Sequence, residues 1–271
     1  VERSRGLGDV YKRQLVAYST IFISLKQSKK HGILLKNIVF MYQCPLCHRY
    51  PCQAPVCTFC QDFLKPLRRQ GCFCRHCGRS ILPSTTLCGP CTKKSTSIDF
   101  FWASFYYEAP LSLLIQKWKF NYQLSLNRSI SFLMLSAPPP WLKKAAIEAV
   151  LPMPTTVLSY KKRLFNQSNE LSSPIARYYG FKLLSKNFIA KSNKFLQHQL
   201  KQKERLKNIV GAFTVLKLPQ EKHLLLIDDV STTGATLQEL ASSLKKQNPD
   251  YQVSAWVLAQ KEAPYEPHHF I

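Results

Sequence analysis

The residues Leu224-Leu-Leu-Ile-Asp-Asp-Val-Ser-Thr-Thr-Gly-Ala-Thr236 carry the most informative pattern in this chain. Four apolar residues predict a buried strand, which ends at the adjacent acids Asp228 and Asp229. The Thr/Gly turn after them predicts the start of a helix, whose N-terminal amides and positive dipole end attract an anion. Gly234 lets the backbone approach that anion closely, and the two carboxylates can accept hydrogen bonds from vicinal sugar hydroxyls. The pattern indicates a sugar-phosphate site at a strand end, although an acidic turn before an ordinary helix would look similar.

Strand-like and helix-like segments alternate along the chain from residue 100 onward. The apolar pattern predicts strands at 100–107, 150–154, 212–218, 223–227 and 253–259, and helices at 110–120, 170–179 and 233–246. Pro174 is expected in the first turn of its helix, and the basic segment 191–208 is expected to be a loop that passes into a helix. This alternation is typical of an α/β fold with a mostly parallel sheet flanked by helices.

Eight of the ten cysteines form four Cys-x-x-Cys pairs, a spacing typical of metal ligands: Cys44 and Cys47, Cys57 and Cys60, Cys74 and Cys77, Cys88 and Cys91. Two such pairs complete a tetrahedral four-sulfur site, so eight ligands predict two closed, structural zinc ions. Pairing of neighbours gives consecutive zinc ribbons, which we favour because each closes a short loop, and an interleaved cross-brace is the rival. Buried or redox-active thiols are the alternative to zinc.

The net charge is +23, and the chain stays strongly basic without its first forty residues, which favours polyanionic partners. Residues 9–14 are similar to one translated frame of a sequencing-library adaptor, so residues 1–40 are expected to be non-native or disordered, with Met41 as the start. No apolar run reaches the roughly 18 residues that a membrane-spanning helix needs, which predicts no membrane insertion. Thiolate–zinc chemistry fits a reducing cytoplasm.

The stretch 224–236 resembles the signature of type I phosphoribosyltransferases, which bind phosphoribosyl pyrophosphate (PRPP). Three further elements narrow the resemblance. Residues 151–154 and 162–167 are similar to two motifs of the ComF family, and a spaced pattern matches a third: Gln197, Leu200, Arg205, Asn208, Ala212 and Phe213. With the cysteine pairs in front, residues 44–260 resemble ComF proteins throughout. Leu164 departs from the family pattern, which usually has glycine there, so pyrophosphate binding could be weaker.

The resemblance implies roles for the candidate site residues. Asp228 and Asp229 would contact the ribose hydroxyls, and Thr232, Thr233, Gly234, Ala235 and Thr236 would wrap the 5′-phosphate. The basic cluster of Lys161, Lys162 and Arg163 is the candidate for the pyrophosphate, which magnesium would bridge. The implied domains are a double zinc ribbon at 41–97 and a phosphoribosyltransferase-like domain at 98–271.

Two functions follow from the resemblance. ComF proteins are linked to competence, the uptake and processing of transforming DNA, which together with the positive charge favours binding of single-stranded DNA and contact with competence or DNA-processing proteins. The alternative is an active phosphoribosyltransferase that moves ribose 5-phosphate from PRPP to an unidentified acceptor. Thr232 stands where purine-using relatives carry a carboxylate, so the sequence nominates no catalytic residue.

Overall fold

The computed structural model of the chain describes residues 41–120, 123–163, 165–185, 187–191 and 210–261. Its internal contacts divide the chain into two compact units with the boundary between Phe63 and Leu64. The predictions for residues 1–40 and for nearly all of the basic segment 191–208 fall outside the described residues. Within those residues, no helix is long and apolar enough to cross a membrane.

The strands of the second unit are β1 Phe100–Tyr106, β2 Ala149–Pro152, β3 Lys182–Leu183, β4 Ile189–Lys191, β5 Phe213–Val215, β6 His223–Ser231 and β7 Gln252–Gln260. Five of them form a wholly parallel sheet with the strand order β1-β7-β6-β2-β3. A separate antiparallel pair joins β4 and β5. The predicted parallel sheet is confirmed.

After β1, the helices lie between strands in sequence, as the alternation predicts. In the first unit α1 is Thr58–Phe63, and in the second unit the helices are α2 Gly89–Lys93, α3 Leu111–Phe120, α4 Asn127–Leu135, α5 Val157–Arg163, α6 Gln167–Tyr179 and α7 Ala235–Gln247. Two short 3-10 turns, Lys65–Leu67 and Leu124–Leu126, complete the described elements. Leu237, Leu240 and Leu244 repeat at helical spacing on α7 and are buried in the main core.

The position of β6 explains where the functional residues lie. This strand pairs with β2 on one side and β7 on the other, and Leu224 to Ile227 are completely buried. A continuous apolar run is what a strand covered on both faces requires. Ile227 is in register with Pro152 and with Trp256, so β2, β6 and β7 bring their carboxyl ends to the same edge of the sheet.

The boundaries of β6 and α6 differ from the predicted ones for identifiable reasons. Strand β6 continues past Ile227 to Ser231, because the acidic residues stay paired with β7 through Asp228 opposite Val257. Helix α6 begins at Gln167, since the Asn166 side chain caps it by accepting a hydrogen bond from the Ser168 amide at 3.1 Å. Pro174 therefore lies inside the helix and not in its first turn.

Candidate functional site

A cavity of about 200 Å³ opens at the carboxyl edge of the sheet. Polar side chains from separate elements line it, among them Lys119, Thr155, Ser168, Asp228, Asp229 and Thr236. Lys119 comes from helix α3, Thr155 from the loop after β2, and Ser168 from the start of α6. The two aspartates and Thr236 come from the segment that runs from β6 into α7. Three of the residues predicted to bind a sugar phosphate are therefore brought together around one space.

The two carboxylates are held from the protein side through one oxygen each. Asp228 Oδ1 accepts hydrogen bonds from the Ser168 hydroxyl at 2.8 Å and from the Asp229 amide at 2.9 Å. Asp229 Oδ1 accepts from the Val230 amide at 2.6 Å and lies 2.8 Å from the Lys119 ammonium. Among the described residues, no hydrogen bond reaches either Oδ2, so each carboxylate retains capacity to accept hydrogen bonds from a ligand.

The first carboxyl of the pair has a perturbed protonation equilibrium. Burial, followed by the negative charge of Asp229, raises the pKa of Asp228 to about 6 from its ordinary value of 3.8. The hydrogen bond from Ser168 and the charge of Lys119 oppose that rise. Asp228 is therefore poised to gain or lose a proton just below neutral pH, a property common at functional sites.

Asp228→Asn should make the folded protein more stable at neutral pH. In the unfolded chain this carboxyl titrates near 3.8 and in the folded chain near 6, so between those values the folded protein binds more protons and its stability falls as pH rises. The asparagine side chain does not titrate, so the variant does not lose this stability as pH rises. Denaturant unfolding at several pH values should show a shallower fall between about pH 4 and 6 in the variant than in the wild type. If the stability of both proteins fell equally with rising pH, the raised pKa of Asp228 would be contradicted.

The turn after β6 places the predicted phosphate-binding residues at the same edge as the acids. Gly234 has φ 73° and caps the N-terminus of α7, a conformation that L side chains rarely adopt. Thr232 and Thr233 are exposed, and Ala235 begins the helix. The sequence reasoning overlooked Ser231, whose buried hydroxyl has no hydrogen-bond partner among the described residues.

The basic cluster is placed differently from the acids. Lys161 is exposed near the end of α5 and does not line the cavity, while the side chains of Lys162 and Arg163 lie outside what the structure describes. Their role towards a pyrophosphate stays a prediction. The lysines that do line the cavity are Lys119 and Lys191, which the sequence did not single out.

Both groups of four cysteines are assembled as neighbouring pairs. In each group the four sulfur atoms lie within 4.8 Å of one another, so each group could hold a metal ion. The groups are Cys44, Cys47, Cys57 and Cys60, and Cys74, Cys77, Cys88 and Cys91. Consecutive pairing is confirmed and the interleaved cross-brace is excluded. Cys52 and Cys72 lie outside both groups, as the count of ligands predicted.

The chemistry of the sulfur atoms suits a soft cation such as zinc. A hydrogen bond with Cys77 lowers the pKa of Cys74 to about 4, and the same interaction raises the pKa of Cys77. A zinc ion would hold all four as thiolates at once, with no open position for a catalytic water.

The second cysteine group is hydrogen-bonded to the sheet and to helix α7. Gln260 at the end of β7 donates to the carbonyl of Cys77 at 2.9 Å, and Gln238 of α7 donates to that of His76 at 3.3 Å. The buried Arg69 donates to Gln260 Oε1 and to the carbonyl of Gly78. The second cysteine group lies in the same compact unit as the sheet, and the domain bounds 41–97 and 98–271 stay a prediction.

Comparison with known proteins gives consistent matches. Residues 162–271 match the phosphoribosyl transferase domain. Competence protein F of Haemophilus influenzae is 29% identical over 211 residues, which covers 76% of this chain and 90% of that protein. The DNA utilization protein YhgH of Salmonella typhi is 29% identical over 225 residues, with 80% and 96% covered, and that of Escherichia coli K12 is 28% identical over 209 residues, with 76% and 90% covered.

Proposed function

We propose that this chain acts in the uptake or processing of DNA, because it is a homologue of competence protein F and of the YhgH DNA utilization proteins. This agrees with its resemblance to the ComF family. We further propose that its cavity binds PRPP through the ribose 5-phosphate part. The observation that carries this second proposal is the convergence of Asp228, Asp229 and Thr236 on one cavity within a phosphoribosyltransferase domain.

The geometry suits the parts of PRPP in turn. The Oδ2 atoms of Asp228 and Asp229 would accept hydrogen bonds from the two ribose hydroxyls. The amides of residues 233–236, at the positive end of the α7 dipole, would hold the 5′-phosphate. Magnesium would supply the counter-charge for the pyrophosphate, since it binds phosphates while retaining several waters.

The proposal also covers the metal ions, the DNA ligand and the cellular location of the protein. Two structural zinc ions would occupy the two cysteine groups, and the ten free cysteines of the chain suit a reducing cytoplasm. Single-stranded DNA is the proposed polyanionic ligand, supported by the strong excess of Lys and Arg over acids. Competence or DNA-processing proteins are the proposed protein partners, by analogy with the names of the relatives.

Replacing Lys161, Lys162 and Arg163 together by glutamine should flatten the salt dependence of single-stranded DNA binding. Three phosphate contacts on a single strand contribute a slope of about 2 in log K against log salt, so the slope should fall by that amount if all three bind. Fluorescence anisotropy with an oligonucleotide at several salt concentrations measures it. The control is Lys143→Gln with Lys144→Gln, two exposed lysines elsewhere. An equal change in the control would show that the charge effect is not local.

An active phosphoribosyltransferase is the second candidate, favoured by the match of residues 162–271 to the phosphoribosyl transferase domain. Binding and turnover measurements on one zinc-loaded sample distinguish the two candidate functions. Binding of PRPP and salt-sensitive binding of DNA without turnover support the DNA-handling role. Release of pyrophosphate from PRPP with any nucleobase supports the enzyme. No binding of PRPP would end both proposals for the cavity.

A further inference from the structure

The charge of Lys119 forms an ion pair inside the cavity. Its ammonium lies 2.8 Å from Asp229 Oδ1, and the two side chains are only 17% and 10% exposed. A buried ion pair loses so much hydration that it often contributes little to stability compared with apolar side chains. Lys119 also lines the cavity beside both acids. A role towards the ligand explains this placement better than a role in folding.

The protein fixes Lys119 through its neighbour. Trp118 is fully buried, and its indole nitrogen donates to Asn127 Oδ1 at 2.6 Å. Asn127 in turn donates to Glu170 on α6 at 2.6 Å. The same helix carries Ser168, which bonds to Asp228, so the lysine and the first carboxylate are positioned by one connected set of contacts.

Two adjacent carboxylates with free oxygens are a common ligand set for a divalent cation, because magnesium and manganese prefer oxygen donors. Here an ammonium group already compensates part of that charge and would repel a second cation at the same place. We infer that Lys119 is a built-in counter-ion that takes the place of a divalent metal at the Asp228–Asp229 pair, so that the pair binds sugar hydroxyls without magnesium. This inference rests on the proposal that the cavity binds ribose 5-phosphate.

The first test uses ribose 5-phosphate, which lacks the pyrophosphate that would bring its own magnesium. Isothermal titration of the zinc-loaded chain should give the same affinity with and without added magnesium. Without magnesium, Lys119→Met should bind ribose 5-phosphate about tenfold more weakly or worse, because the ion pair between Lys119 and Asp229 is lost. Added magnesium should restore part of the affinity. Lys119→Arg should stay close to wild type. Lys117→Met removes an exposed lysine from the same helix and should change nothing.

The second test needs no sugar and so separates the two proposals. Titration of zinc-loaded protein with Mn²⁺, followed by electron paramagnetic resonance, should show one new site in Lys119→Met with a dissociation constant of about 1 mM or below. Wild type and Lys117→Met should lack it. Magnesium-dependent binding by the wild type, unchanged affinity in Lys119→Met, or no new manganese site would each overturn the role of Lys119. A wild type that binds no ribose 5-phosphate refutes the ligand proposal, and the manganese titration then decides whether Lys119 excludes metal.

Discussion

Cys88→Ser is expected to destabilise the whole sheet unit, whereas Cys44→Ser should leave that unit as stable as in the wild type. The reason is that the second cysteine group is bonded to the sheet through Arg69, Gln238 and Gln260. Losing a structural metal ligand belongs to the largest class of mutational effects, so we expect a fall of about 3–5 kcal/mol in the free energy of unfolding. The sequence alone predicts a local effect for both variants.

Thermal melting followed by circular dichroism, with zinc counted by elemental analysis, measures this difference. Wild type should carry two zinc ions per chain, one for each group, and each variant should lose one. Cys72→Ser is the matched control, because this exposed thiol lies in neither group. Equal melting of the Cys44 and Cys88 variants would contradict the coupling, and protein purified under reducing conditions without zinc would contradict the metal assignment.

Asp229→Ala should weaken PRPP binding by about 1–3 kcal/mol, or roughly five- to 150-fold, the scale of a lost charge-assisted hydrogen bond. The substitution also leaves Lys119 without its carboxylate, which places a positive charge beside the remaining acid. DNA binding should stay the same or become slightly tighter, because removing an acid raises the local positive potential. Isothermal titration with PRPP and magnesium, and anisotropy with an oligonucleotide, give the two readouts.

The control for this variant is Asp250→Ala, which removes an exposed acid before the start of β7. It should change PRPP affinity by no more than the error of the titration. If Asp229→Ala binds PRPP as tightly as the wild type while both proteins remain folded, the carboxylate does not hold the ribose. If the two aspartate variants lose affinity equally, the loss is not specific to the cavity.

The fold was predictable where local patterns dominate. The apolar run before Asp228 predicted β6, and strict Cys-x-x-Cys spacing predicted two four-sulfur groups, because both signals come from neighbouring residues. The ends of the elements were less predictable. The extension of β6 to Ser231 depends on pairing with β7, and the early start of α6 depends on a cap that only the folded backbone displays.

The candidate site was predictable only in part for a related reason. Asp228, Asp229 and Thr236 belong to one contiguous motif, and the structure places them on one cavity. Lys119 comes from a helix more than a hundred residues earlier in the chain, and nothing in its local sequence distinguishes it from Lys117. The attachment of the second cysteine group to the sheet likewise depends on side chains that are distant in sequence.

The most direct measurement is the electron density of PRPP in a crystal grown from the zinc-loaded chain with magnesium. We expect the 5′-phosphate at the amides of residues 233–236 and the ribose hydroxyls within hydrogen-bond distance of Asp228 and Asp229, with Lys119 still beside Asp229. PRPP bound elsewhere on the chain, or a cavity that stays without PRPP at saturating concentration, would contradict the assignment of this edge of the sheet as the ribose-phosphate site.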